Sequence, residues 1–298
     1  MTSADGRPIP RVGVVLHPKR DISRPVAALQ EWVAEHGAEL IQLSRVPDGP
    51  DVAPDGDAGD ASLIVAIGGD GTVLAALRAA AASRRPVLGV ACGSLGALTT
   101  VAGTALVDAL DAFAAGDWEA QRVPALHVAD AAGTTAAAIN DVVVVRDGGN
   151  QVSTEVEADG VLYGRFSGDG VIASTQLGSS AYALAAGGPI LAPGSDAWTI
   201  TPLAAHGGCI PPLVLGVGST ARLAVAPGFA GARVEVDGQP SRLEPTALEL
   251  GHLGEFGTLV RVGEEESFLT GLRRRRILMD SPRMLARDAR LDRARVDG

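Results

Sequence analysis

The sequence predicts an α/β domain with a doubly wound parallel sheet, then a second, mostly β domain of sandwich-like construction, then a charged C-terminal segment. Three observations lead there. Apolar runs of strand length alternate with amphipathic helical stretches up to about residue 117, as in a parallel sheet with crossover helices. One apolar run, residues 64–67, enters the turn Gly68-Gly69-Asp70-Gly71-Thr72 and leaves it in a helix-like pattern. After Trp118, short β-branched runs recur between glycine and aspartate turns. The expected divisions are residues 1–117, 118–271 and 272–298, the last a charged segment that could return to the first domain.

Taken in order, residues 11–17 form a first strand, and Val26, Leu29, Trp32 and Val33 recur at helical spacing until His36-Gly37. Residues 39–43 are a second strand. Residues 47–60, rich in Asp, Gly and Pro, read as a mobile surface loop. The strand into Gly68 follows, then an Ala-rich helix to about Ala82. Residues 86–91 form a further strand ending in a second glycine loop, 92–96, and Leu106, Leu110 and Phe113 mark a helix that Gly116 closes. In the second domain, strands are expected at 142–145, 152–156, 171–174, 198–201, 223–226 and 233–236, with one helix at 179–186. The final stretch opens with Arg273 to Arg276 and reads as a solvated charged face, helical or frayed.

Composition narrows the function. The chain has 298 residues, is 46% hydrophobic and carries a net charge of −10, so it can build a sizeable core and is a poor partner for nucleic acid or an anionic membrane. No apolar run approaches the ~20 residues of a membrane span, and residues 1–10 lack the apolar core of a signal peptide. Cys92 and Cys209 fit no disulfide framework or zinc spacing and are expected to be buried thiols in a cytoplasmic protein. Lys19 is the only lysine, so no Gly-Lys-Ser/Thr phosphate loop exists. Phosphates must be held by backbone N–H groups, arginines or a metal ion. The five histidines make no metal spacing, and Gly216-Val217-Gly218 precedes a strand, the wrong context for a dinucleotide loop.

The 68–72 turn is almost free of side chains, so a polyanion could approach its backbone closely. Asp70, at the carboxyl end of a strand, lies where open α/β sheets bind ligands. One reading makes it the group that handles a reacting hydroxyl; the other makes it the N-cap of the next helix. Two further polar stretches stand out. Asn140-Asp141 puts an amide beside a carboxylate, which suits paired ribose hydroxyls. Residues 167–193 are dense in glycine and hydroxyls, and include Tyr182, which could stack on a base or ribose.

These three elements, in this order, resemble the NAD kinase family, whose members carry a GGDGT turn, an Asn-Glu pair and a DG…STPTGSTAY…GGP stretch. Gly68 to Thr72 match the first without change. Asp169-Gly170, Ser174-Thr175, Gly178-Ser179, Ala181-Tyr182 and Gly187-Gly188-Pro189 match the third, and residues 88–99 look like the family's LGIN-x-G-x-LGFLT segment. GGDGT alone also occurs in lipid kinases and phosphofructokinases. Departures are Asp141 for Glu, Gln176-Leu177 for Pro-Thr, Ala97 for Phe and Ala91 for Asn. The resemblance implies transfer of phosphate from ATP, or polyphosphate, to the 2′-hydroxyl of the adenosine ribose of NAD. It implies Asp70 as the catalytic residue and Gly68, Gly69, Gly71 and Thr72 around the phosphates. Asn140, Asp141, Asp169, Ser180, Ala181 and Tyr182 would line the NAD site. Mg²⁺ would be held by nucleotide oxygens rather than protein side chains, in a homodimer or homotetramer. A diacylglycerol-type lipid kinase is the rival enzyme, disfavoured by the acidic charge, and a non-catalytic NAD-binding paralogue is the rival of another class.

Overall fold

The computed structural model describes residues 9–287 apart from Asp48 and Glu265. Most of the N-terminal segment read for a leader and residues 288–298 of the charged segment lie outside the described residues. Two units are distinguished, one up to Gly263 and one from Glu264.

In the first unit, β1 (Arg11–Leu16), β2 (Glu39–Gln42), β3 (Leu63–Gly68) and β4 (Pro86–Ala91) pair in parallel in the order β4-β3-β1-β2. Their almost wholly buried residues explain the near-continuous apolar runs, since both sheet faces are covered. On one face, α1 (Ser23–Glu35) buries Val26, Leu29, Trp32 and Val33, and α3 (Leu106–Ala115) buries Leu106 and Leu110. On the other, α2 (Asp70–Ala80) buries Val73, Leu74, Ala76 and Leu77. Gly116 ends α3 in the left-handed conformation at φ 79°, which a glycine adopts without steric cost. β5 (Val101–Ala102) adds briefly to β4.

The remaining strands are antiparallel: β6 (Glu119–Asp130), β7 (Thr135–Ala138), β8 (Asp141–Arg146), β9 (Val152–Ala158), β10 (Val161–Gly168), β11 (Gly170–Ser174), β12 (Ala197–Leu203), β13 (Leu213–Gly216), β14 (Thr220–Ala226), β15 (Ala232–Val236), β16 (Gln239–Pro240) and β17 (Ala247–Arg261). The order β13-β12-β11-β8-β15-β16 makes a separate sheet. It faces β9, β10, β14, β17 and β6 across a core that includes Trp198, Val156, Phe166, Leu223 and Leu250, the expected sandwich. β17 joins the two regions. Its first residues pair antiparallel with β14, while Thr258 and Leu259 pair in parallel with Pro86 and Val87 of β4.

All six strands expected in the second domain are present, somewhat longer. Strands such as β10 and β17 were not legible, because interior glycines and a register shift between Leu253 and Gly257 break the alternation. Three expectations are corrected. The helix over 179–186 is split into a 3₁₀ turn (Gly178–Ser180) and a short α4 (Tyr182–Ala185). The Ser179 hydroxyl donates to Gln176 O at 2.7 Å and accepts from Leu191 N at 3.0 Å, a local arrangement that competes with a helix. Cys209 is exposed, in the loop between β12 and β13, and Cys92 is only half-buried. The 47–60 loop is anchored: buried Gln42 donates to Pro50 O at 2.7 Å and accepts from Val52 N at 3.0 Å, and Arg45 pairs with Asp51 and Asp55.

In the second unit, α5 (Phe268–Arg274) is capped by Ser267, whose hydroxyl accepts from Thr270 N, and residues 282–287 are helical. Arg273 pairs with Asp280 and Arg274 with Glu266. Among the described residues no helix is long and apolar enough to cross a membrane.

Gln42→Ala is expected to cost about 1–3 kcal/mol, because it removes a buried amide that bonds in both directions to the half-buried backbone groups Pro50 O and Val52 N. A lowered denaturant midpoint with faster amide exchange at Val52 is the expected result.

Candidate active site

β3 delivers Gly68 to the carboxyl edge of the parallel sheet, Gly69 continues extended at φ −131° and ψ −171°, and α2 begins at Asp70. The Asp70 carboxylate does not cap its own helix. It reaches the loop after β4, where Oδ2 accepts from Ala97 N at 2.9 Å and Oδ1 accepts from Leu98 N at 2.9 Å and Thr99 N at 3.2 Å. A Cβ on Gly96 would stand 2.1 Å from Asp70 Oδ1, and one on Gly68 would stand 2.2 Å from Thr72 Oγ1. Both glycines are therefore required by close approach. Thr72 is buried with its hydroxyl against Gly68, whereas a Cβ on Gly71 would meet nothing within 4 Å.

Over Gly69 lies the guanidinium of Arg20, its Nη1, Cζ and Nη2 3.6–3.9 Å from the Cβ position of that glycine. Arg20 Nη1 donates to Cys92 O at 3.3 Å. Nδ1 of His17 accepts from Lys19 N and Arg20 N, both at 3.1 Å, which fixes the loop that carries the arginine. Burial, and then the nearby Arg20 charge, hold the His17 imidazole below its usual pKa, in keeping with this acceptor role. The sequence motifs did not single out Arg20, which follows Lys19 in the stretch Lys19-Arg20-Asp21. Its signal was position: the stretch follows β1, which neighbours β3 at the same sheet edge.

Asp141 opens β8 and Asn140 immediately precedes it, and their backbone is gripped from two sides. Asp237, on the turn after β15, accepts from Ile139 N (3.0 Å), Asn140 N (2.6 Å) and Asp141 N (3.1 Å). Opposite, Asn140 O accepts from Thr175 N at 2.9 Å, and Ile139 O from Thr175 Oγ1 at 2.6 Å. Gly178 fits because any Cβ there would lie 2.0 Å from Asn140 O. Ile139 belongs to the apolar cluster of Val73, Leu77 and Leu98, against which Leu177 also packs. The GGDG helix, the loop that holds Asp70, Asn140-Asp141 and the start of the 174–182 segment thus converge. Buried Asp141 has its pKa raised to about 7, first by desolvation and then by the charges of Asp237 and Glu235.

Asp169 pairs with Arg146 at 2.6 Å beside Gly170, at the opposite end of β11 from Ser174, which faces Asp141. Five residues of strand separate Asp169 from Ser174 by ~16 Å. Ser180 makes a long 3.4 Å contact to Leu177 O, Ala181 N donates to Gly178 O at 2.9 Å, and Tyr182 is exposed at the start of α4. Among the described residues no three His, Cys, Asp or Glu side chains converge to hold a metal ion.

Residues 12–118 match the ATP-NAD kinase N-terminal domain and residues 139–246 the ATP-NAD kinase C-terminal domain. The chain belongs to the NAD kinase family. The NAD kinase of Heliobacterium modesticaldum is 34% identical over 244 residues, 78% of this chain and 86% of that one. That of Symbiobacterium thermophilum is 36% identical over 237 residues, 76% of this chain and 82% of its own. Among solved structures, yeast NADH kinase complexed with NADH shares the fold with a TM-score of 0.73 at 21% identity, covering 90% of this chain and 87% of that one. An Archaeoglobus fulgidus NAD kinase in complex with ATP gives 0.71 at 23% identity, covering 90% and 100%. Within this NAD kinase fold, Leu177, where the family motif has a threonine, spends its side chain on the α2 cluster.

A carboxyl whose folded pKa is raised binds more protons folded than unfolded, so stability falls as pH rises from about 4 through about 7. Asp141→Asn removes that penalty. Compared with wild type at pH 5 and pH 8, the variant is expected to gain stability at the higher pH, by roughly 2–3 kcal/mol more than at pH 5, read as a flatter plot of denaturant midpoint against pH.

Proposed function

We propose that the protein transfers the γ-phosphoryl group of ATP to the 2′-hydroxyl of the adenosine ribose of NAD, giving NADP and ADP. The observation that carries this reading is the convergence of the Gly68–Thr72 turn and its tethered carboxylate with Asn140-Asp141. Family membership and relatives named NAD kinase agree with it.

In the reaction, the bond from the γ-phosphorus to the bridging β-γ oxygen breaks, the ribose oxygen forms the new P–O bond, and the hydroxyl proton leaves. The loose transition state asks for alignment and charge neutralisation more than covalent help. A carboxylate offers about four acceptor positions; the amides of Ala97, Leu98 and Thr99 occupy three and leave one on Oδ2. That position receives the ribose 2′-hydroxyl and then its proton. Held by three amides, the carboxylate needs little reorganisation as the reaction proceeds.

The backbone N–H groups of Gly69, Asp70 and Gly71 at the helix start face the donor phosphates, and Arg20 supplies the cation that the lysine-poor sequence otherwise lacks. No protein side chains converge to hold Mg²⁺ among the described residues, so the ion would come with the nucleotide and would supply charge neutralisation at the phosphates. Asn140 and Asp141 take ribose hydroxyls, and Ser180, Ala181 and Tyr182 border the dinucleotide. Asp169 lies at the far end of β11 from Ser174, where in a homodimer or homotetramer it would border the NAD of its own or a neighbouring copy.

The test is incubation of the purified protein with NAD, ATP and Mg²⁺, with NADP detected by an NADP-specific dehydrogenase. Formation at an enzymatic rate is expected. NAD binding without turnover would replace the kinase reading with a sensor. Asp70→Asn is expected to lower kcat by about 10²–10⁴-fold, with NAD affinity within a few-fold. Arg20→Ala should raise KM for ATP about tenfold or more and leave KM for NAD nearly unchanged.

A further inference from the structure

Asp237 was singled out by no feature of the motifs, yet its carboxylate meets three backbone amides and a guanidinium. Its side chain is completely buried. Oδ1 accepts from Asn140 N and Asp141 N, and Oδ2 accepts from Ile139 N and from Arg78 Nη2, the last at 2.5 Å. Its own backbone N–H donates to Asp141 O at 2.9 Å, so the residue and the 139–141 segment hold each other in both directions. It occupies the tip of the β15–β16 hairpin with φ +49°, followed by Gly238 at φ +73°, the Asp-Gly pattern of a two-residue hairpin turn with both central residues left-handed. Asp tolerates that backbone better than most residues. Here the strained turn aims a carboxylate inward rather than into solvent.

Arg78 belongs to the helix that begins at Asp70. Eight residues of helix separate them, ~12 Å along the axis. We propose that Asp237 is a positioning residue of the active site: held by Arg78, it gathers the backbone of 139–141 and so fixes Asn140 and Asp141 relative to Asp70. The ribose-binding pair and the group that receives the ribose proton are thereby referenced to one helix. This assignment rests on the proposed NAD site. A carboxylate suits the position because every group that meets it is a donor, four in all. An amide would turn its own N–H₂ against some of them, at the cost of a buried mismatch.

A second consequence distinguishes this role from plain structural support. The charged groups facing Asp141 are Asp237 and Glu235 from β15 and its turn, with Arg78 from α2 beyond Asp237; β11 opposes it with Ser174, which is uncharged. Removing the Asp237 charge must ease ionisation of Asp141.

The experiment uses the full chain and the variants Asp237→Asn and Arg78→Lys, with folding checked by circular dichroism. Binding of NAD and of ATP is measured by calorimetry, and the Asp141 carboxyl is titrated by ¹³C NMR. For Asp237→Asn, NAD binding is expected to weaken about tenfold or more with ATP binding within about threefold, and the Asp141 midpoint is expected to move to lower pH. A folded Asp237→Asn protein with unchanged NAD affinity and unchanged Asp141 midpoint overturns the proposal. Should Asp237→Asn fail to fold, Arg78→Lys decides, since it keeps a cation but loses the reach and fork of the guanidinium. NAD binding weakened about threefold or more supports the role, and unchanged binding overturns it. If the wild-type protein binds no NAD, the functional reading falls, and with it the claim on ribose. The Asp141 titration in the Asp237 variant then still decides whether the two carboxylates are coupled as described.

Discussion

A carboxylate shut away from water has to be matched donor for donor, and that requirement at Asp237 ties together much of what surrounds the site. The Arg78 contact joins the antiparallel sheet to a helix of the parallel domain, and the three amide contacts fix where β8 starts. Breaking one partner of such a pair leaves a buried charge uncompensated, which is far costlier than the pair is stabilising. The arrangement is therefore a determinant of geometry more than a source of net stability. Ile139, which follows the same segment into the Val73–Leu77–Leu98 cluster, adds apolar burial on the adjacent side.

The glycines of the site follow from the same close quarters. Gly68, Gly96 and Gly178 are each placed where another atom already occupies the Cβ position: Thr72 Oγ1, Asp70 Oδ1 and Asn140 O. A Cβ on Gly71 would meet nothing within 4 Å, and one on Gly69 would meet the Arg20 guanidinium at ordinary contact distance. Glycine is used in two ways within a few residues, to let protein approach protein and to leave room for a ligand.

How much could be read from sequence depended on whether a feature was local. The parallel strands, α2 and the GGDGT turn were legible because hydrophobic period and turn chemistry are properties of neighbouring residues. The six short strands of the second domain were visible for the same reason, and the family resemblance located Asn140-Asp141. The tether of Asp70 to residues 97–99 was not visible, nor was Asp237, which is 96–98 residues away in sequence from the amides it binds. Arg20 carried a local signal, a basic pair after a strand, but its significance depends on β1 lying next to β3. Asp169 shows the opposite case: a motif match that the strand register carries to the far end of β11.

The double pairing of β17 has a bearing on how the chain is made. Thr258 and Leu259 complete the border of β4 at Pro86 and Val87, so that stretch of β4 waits for a segment synthesised roughly 170 residues later. A ribosome adding ~5–20 residues per second leaves one edge of this part of β4, whose other edge pairs with β3, open for on the order of ten seconds. An open strand edge is a template for unwanted pairing, and long-range closure is slow in its own right. The nascent α/β half therefore emerges as an incomplete sheet, and its last parallel partner arrives only after the antiparallel half has left the ribosome.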